Sequence, residues 1–183
     1  MTSAIAALLL AAAFSPGGAL SVDAGASSLR YRVVHKLHQV DAESRSVEGR
    51  MLVKPDGTVQ AMVRAPVASF RSGDSNRDVH MEEVVESGRF PTVTLRGVAH
   101  LAPDLQPPAG AIAMEAEVEL HGVRRPVHLE LAVERRPDGA LRVKGAFDVS
   151  LDAFGIERPA LLFVKVDDAC HVEVDLLLKE VGP

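Results

Sequence analysis

Apolar and polar residues alternate one for one along most of this chain, and that period restricts it to half-buried β-strands. Val93 and Leu95 alternate with Thr92, Thr94 and Arg96. Met114, Ala116, Val118 and Leu120 interleave with Glu115, Glu117 and Glu119. Val127, Leu129, Leu131 and Val133 alternate with His128, Glu130, Ala132 and Glu134, and Leu141, Val143, Gly145, Phe147 and Val149 repeat the pattern. Shorter runs of the same kind sit at residues 29–33, 47–53, 59–65 and 172–176. Each implies a strand with one dry and one wet face, the mark of antiparallel sheets.

The punctuation between the runs fits hairpins. Lys54-Pro55-Asp56-Gly57 and Arg136-Pro137-Asp138-Gly139 place Pro, Asp and Gly as a type I turn followed by glycine requires. His121-Gly122 between Leu120 and Val123 predicts a two-residue hairpin, and Pro126 beyond it predicts an edge or bulge. One stretch breaks the period. Gly73–Glu86 offers Asp74 and Ser75 as N-caps, with apolar Val79, Met81, Val84 and Val85, and predicts a short amphipathic helix ending near Gly88. Residues 103–110, with Pro107-Pro108, predict a loop.

About eight strands, one helix and no strand–helix–strand units imply an all-β protein: an eight-stranded antiparallel barrel with a helical insertion rather than an open sandwich. Closure removes exposed sheet edges. Eight strands leave an interior just wide enough for side chains or one small ligand. Small residues on the dry faces, Ala61, Ala65, Ala116 and Gly145, point to an interior that protein atoms do not fill.

Residues 1–21 read as an export signal: an apolar run Ala4–Phe14, the breaker Ser15-Pro16-Gly17-Gly18, and a small-residue cleavage site after Ser21 or after Ala24. The opening Met1-Thr2-Ser3 lacks the usual Lys or Arg, which leaves the start codon open. The domain would then span residues 22–183, in a periplasmic or secreted protein, with no segment long enough to span a membrane as a helix. The net charge of -5 and the absence of basic runs exclude a nucleic-acid footprint. Aromatic content of 4% without Trp leaves a dry interior of aliphatics, Met and a few Phe. Cys170 is the only cysteine, so no internal disulfide forms, and it reads as a strand core residue with His171 on the opposite face.

Four stretches in order resemble the YceI family of lipocalin-like proteins. They are Val34-His35-Lys36-Leu37-His38 with Val47-Glu48-Gly49; residues 69–81 (Ser69 to Met81, with Asn76-Arg77-Asp78 and His80) leading to Ser87–Thr94; Leu120–Val127; and Ser150–Ile156. The chain departs from the family pattern at Leu95, often an aromatic there, and in residues 157–162. The resemblance implies an elongated barrel enclosing an apolar channel for a polyisoprenoid, an isoprenoid quinone or a fatty-acid-like amphiphile. It implies a carrier or store, with no catalysis, cofactor or metal. Candidate channel-lining residues are Tyr31, Val33, Met51, Val63, Phe70 and Phe90, followed by Leu95, Met114, Leu131, Phe147, Phe154, Ile156 and Leu162. Ordinary core packing is the competing role for each. Arg77 and His80 are candidates for an anionic head group, against a structural role as helix-cap partners. His35 and His38, three apart, would point to opposite faces of one strand. A metal-dependent hydrolase or redox enzyme built on histidines, and a stress-related interaction protein with a filled core, are the alternative readings. A homodimer is an alternative to a monomer.

Overall fold

The structure, a computed structural model, describes residues 18–35, 38–101, 109–161 and 164–181. Its strands are β1 (Ala19–Val22), β2 (Ser28–His35), β3 (His38–Ser44), β4 (Glu48–Val53), β5 (Thr58–Pro66), β6 (Thr92–His100), β7 (Ala109–Leu120), β8 (Val123–Arg135), β9 (Leu141–Ser150) and β12 (Ala169–Glu180). A separate ribbon pairs β10 (Ala160–Leu161) with β11 (Val164–Lys165). The only α-helix among the described residues, α1, runs Ser75–Val84 between β5 and β6.

All neighbouring strands of the large sheet are antiparallel, in the order β1-β4-β5-β6-β7-β8-β9-β12, and β1 also pairs β12. That second pairing closes the sheet into an eight-stranded barrel. Two staves are broken in the middle. β1 passes into β2 through a 3-10 turn at Ala24–Ala26, capped by Asp23, whose Oδ1 accepts from Gly25 N. β3 passes into β4 across residues 45–47, where Ser44 Oγ accepts from Ser46 N. Strand β12 follows the first break by changing partners: Cys170–Asp175 pair β2, and Leu178–Glu180 pair β1. At the changeover the Leu177 N–H would lose its ladder bond. The hydroxyl of buried Ser27 accepts it at 2.9 Å, so the kink leaves no orphaned donor there.

The turns obey the local chemistry. Leu120 pairs Val123 across His121-Gly122, whose φ angles of 53° and 71° make the two-residue hairpin that suits the right-handed twist of its strands. Gly57 and Gly139 end the two Pro-Asp-Gly turns in left-handed geometry. Pro126 sits where β8 is paired on one side only, because β8 meets β9 only from Leu131 onward. A proline removes no ladder bond in such a locally open stretch. Ion pairs between facing residues, such as Arg64–Glu48 at 2.7 Å and Arg30–Glu43 at 3.0 Å, lie on the wet face and favour this register.

The helix departs from the amphipathic pattern expected of it. Val79 is 57% exposed, whereas Asp78 is buried. Asp78 Oδ1 accepts from Ser72 N at 2.9 Å and Ser72 Oγ at 2.6 Å, so the buried carboxylate ties the preceding loop to the helix. Asp74 caps the helix as expected, accepting from Asn76 N and Arg77 N.

The first strand, β1, crosses the boundary expected for the leader. Ala19–Ser21 pair with Arg50–Leu52 on one side, and Leu20 and Ser21 pair with Lys179 and Glu180 on the other; Leu20 is buried.

Candidate functional site

The barrel interior divides into a packed half and a hollow half. In the packed half, strands bring large side chains across from glycines. A Cβ at Gly97 would lie 2.8 Å from Met114 Cγ, and one at Gly145 would lie 2.6 Å from Leu131 Cδ2. Each missing side chain is the room into which its neighbour packs. Gly145 therefore leaves no empty space, contrary to the expectation drawn from it, whereas Ala61 lines the small void that remains. Leu129, Leu178, Val59 and Met114 are among the most buried side chains here, and what remains is a void of about 60 Å³.

The hollow half lies toward α1. It holds a cavity of about 570 Å³, within the range of small-molecule sites. Tyr31, Val33 and Cys170 contribute from β2 and β12, and Phe147 and Val149 from β9. Val118 and Leu120 of β7 and Leu151 and Ile156 of the segment after β9 complete the walls. The helical excursion between β5 and β6 roofs it with Phe70, Met81, Val84 and Val85. Polar groups gather on one part of the lining: His35 and His38 from the β2–β3 hairpin, and Asp74, Arg77 and His80 from the start of α1. This arrangement, an apolar chamber with a few polar side chains on its rim, suits a molecule with a long dry part and a small wet end.

The candidates from sequence divide accordingly. Tyr31, Val33, Phe70, Phe147 and Ile156 line the large cavity. Met51, Val63, Leu95, Met114 and Leu131 face the small void in the packed half. Phe147 faces both, as do Val93 and Val172. Phe154 is buried at 1% exposure among Val118, Val149, Leu151, Ile156 and Cys170, behind the cavity wall rather than on it. Phe90 packs edge-on against His121 and covers Gly122, on the outer side of the β7–β8 hairpin turn. Leu162 lies outside the described residues. Alternation gave the correct face for Val149, Cys170 and Val172, which the candidate set omitted, but their facing says nothing about which end of the barrel is hollow.

Arg77 and His80 both reach the cavity rim. Arg77 Nη2 also meets Asp74 Oδ2 at 3.3 Å, and His80 Nδ1 stands 3.8 Å from Glu83 Oε2. Arg77 is therefore engaged with the helix cap, and His80 stands beside Glu83 toward the other end of the helix. His35 and His38 do not point to opposite faces. They are cross-strand partners at the end of the β2–β3 hairpin, with ring centroids 5.5 Å apart. Parity holds within one strand, and the two histidines stand on different strands. Among the described residues, no three His, Cys, Asp or Glu side chains converge as a metal site requires. His171 faces outward as expected, 2.8 Å from Asp148.

Burial shapes the ionisable groups of the chamber. Desolvation pushes the Cys170 thiol up to about 12, with the Asp148 carboxylate adding to it, so the thiol stays protonated and unreactive. Desolvation also raises the Tyr31 phenol well above its ordinary value; its ring sits 5.6 Å from that of Phe70. The capping carboxylate Asp74 is held below its ordinary value, first by the Arg77 backbone N–H and then by the Arg77 side chain. No helix among the described residues is long and apolar enough to cross a membrane.

Several solved structures share this architecture. A polyisoprenoid binding domain from Saccharophagus degradans superposes with a TM-score of 0.70 at 18% identity, over 90% of this chain and 99% of that one. BcnA of Burkholderia cenocepacia gives 0.69 at 15% identity, over 85% and 98%. The YCEI protein of Campylobacter jejuni gives 0.61 at 12% identity, over 82% and 90%. At these identities the likeness is one of fold. No curated protein sequence matches the chain. The sequence model of the YceI-like domain matches residues 20–178, from the strand that closes the barrel to the end of the packed half. By that match, joined to the eight-stranded barrel and its single helix, the chain belongs to the YceI family.

Proposed function

We propose that the protein is an exported lipid-binding barrel that holds the hydrocarbon tail of a polyisoprenoid or similar long-chain amphiphile, as a carrier or store, and does no chemistry on it. The observation that carries this reading is the apolar cavity of about 570 Å³ in a barrel whose other half is packed down to a void of about 60 Å³. The cavity opens to solvent, so without a ligand its apolar lining meets water. A tail of matching shape dries that lining, and each buried methylene is worth about 0.8 kcal/mol before the cost of ordering the chain. The void also weighs against an interaction protein with a filled core. The polyisoprenoid binding activity named for the Saccharophagus degradans relative agrees with the reading.

Export is part of the proposal, with cleavage after Ser21 or after Ala24. The intact mass of the protein collected outside the cytoplasm tests this: it should lack residues 1–21 or 1–24, and an uncleaved chain found only in the cytoplasm would refute it. Uptake of an apolar fluorophore by the delipidated protein tests the binding. The wild type should take up one equivalent, and Val149→Trp, whose indole takes up part of the chamber, should bind it more weakly while still unfolding cooperatively. A folded wild type that takes up no fluorophore would overturn the proposal.

A further inference from the structure

The cavity has a floor, and the floor sets a length. Val93, Phe147 and Val172 face the large cavity on one side and the small void of about 60 Å³ on the other. Val172 pairs directly with Phe147 on the neighbouring strand, and Val93 reaches the floor from β6. Below it, Leu131 packs over Gly145 and Met114 over Gly97. A tail entering from the α1 side therefore stops at Phe147.

The volume gives the size of tail that fits. A dry cavity of about 150 Å³ holds one benzene, which is roughly 25 Å³ per carbon. At that density, the cavity of about 570 Å³ takes about twenty carbons. A tail of forty carbons would need about 1,000 Å³ on the same scale. A surplus directed to the part of the lining where His35, His38, Asp74, Arg77 and His80 gather meets polar groups. Carbons left there stay hydrated and contribute nothing to binding.

We propose that this barrel selects its ligand by chain length, accepting a single tail of about twenty carbons and rejecting tails near forty, with Phe147 as the residue that sets the limit. The inference rests on the lipid-binding reading and adds a size to it. Removing the Phe147 ring would open about 150 Å³ and join the two voids, which raises the capacity to about thirty carbons. Enlarging Val149 to Phe would remove about 100 Å³ and lower the limit below twenty.

The test uses the full, delipidated protein and linear prenols of 15, 20, 30 and 40 carbons presented from the same detergent. Bound prenol is counted by native mass spectrometry. The wild type should retain the 15- and 20-carbon prenols, with at least a tenfold loss at 30 and 40. Phe147→Ala should gain the 30-carbon prenol, and Val149→Phe should lose the 20-carbon one while keeping the 15-carbon one. Equal retention of the 20- and 40-carbon prenols by the wild type would overturn the length limit and leave lipid binding standing. An unchanged profile in both folded variants would overturn the role of the floor. No retention of any prenol would overturn the lipid reading itself.

Discussion

Replacing Asp78 with Ala should loosen the roof of the cavity while leaving the barrel closed. The Asp78 side chain is buried at 7% exposure, and its Oδ1 accepts two hydrogen bonds from Ser72, at 2.9 Å from the backbone N–H and 2.6 Å from the hydroxyl. Bonds to a charged acceptor are worth about 1.5–3 kcal/mol each, and a donor left buried without a partner adds to the loss. The loop is also held by the backbone bridge between Glu43 and Arg71, so part of the tether survives. A local loss of about 2–4 kcal/mol follows. At 1.4 kcal/mol per factor of ten, the amides of α1 should exchange with solvent about 30- to 1,000-fold faster. Native-state hydrogen exchange read by mass spectrometry separates peptides covering residues 72–85 from those covering β9. Asp78→Asn keeps an acceptor oxygen in place and should give a smaller acceleration. Unchanged exchange in α1 of the Ala variant would refute the tether, and equal acceleration in α1 and β9 would refute its being local to the roof.

The two halves of the barrel should respond differently to truncation: Leu129→Ala in the packed half should cost about 2–5 kcal/mol in urea unfolding, whereas Leu151→Ala, whose side chain already faces the cavity, should cost about half as much. Equal losses would contradict the division. Cys170 should resist iodoacetamide at pH 8 in the folded protein and react on unfolding, since burial lifts its thiol to about 12 from an ordinary 9.0. The folded pKa is the raised one, so this contribution to stability is present below pH 9.0 and is lost as pH rises toward about 12. His128 should titrate above its ordinary 6.5, because it bonds first to Glu115, at 2.7 Å, and then to Glu130. Its contribution is present below pH 6.5 and lost as pH rises through the higher folded value; histidine NMR should show the shift shrinking in Glu115→Gln.

The barrel was legible because alternation, turn residues and the hairpin at His121-Gly122 are local signals, each decided by a few neighbouring residues. The breaks between β1 and β2 and between β3 and β4 were less visible, since they are stabilised by Ser27 and Ser44 acting on residues that the sequence does not bring near. The candidate site was half legible. Parity showed that Val33, Leu95 and Leu131 face inward, but not that Val33 meets a cavity while Leu95 and Leu131 meet packed neighbours. That difference depends on volumes summed across strands: Leu131 fills the space over Gly145, which lies opposite it on β9. Phe90 stands among the channel candidates, whereas Gly122 offers it a flat seat elsewhere. Parity also misplaced His35 and His38, because they stand on two different strands.

Native mass spectrometry of the protein purified without detergent from its own compartment tests the central claim most directly. The account predicts a chain carrying one apolar molecule of about twenty carbons, released by organic solvent, that competes with the fluorophore for the chamber. A bare chain that also refuses every tail offered to it would contradict the claim that the hollow half of the barrel exists to hold one.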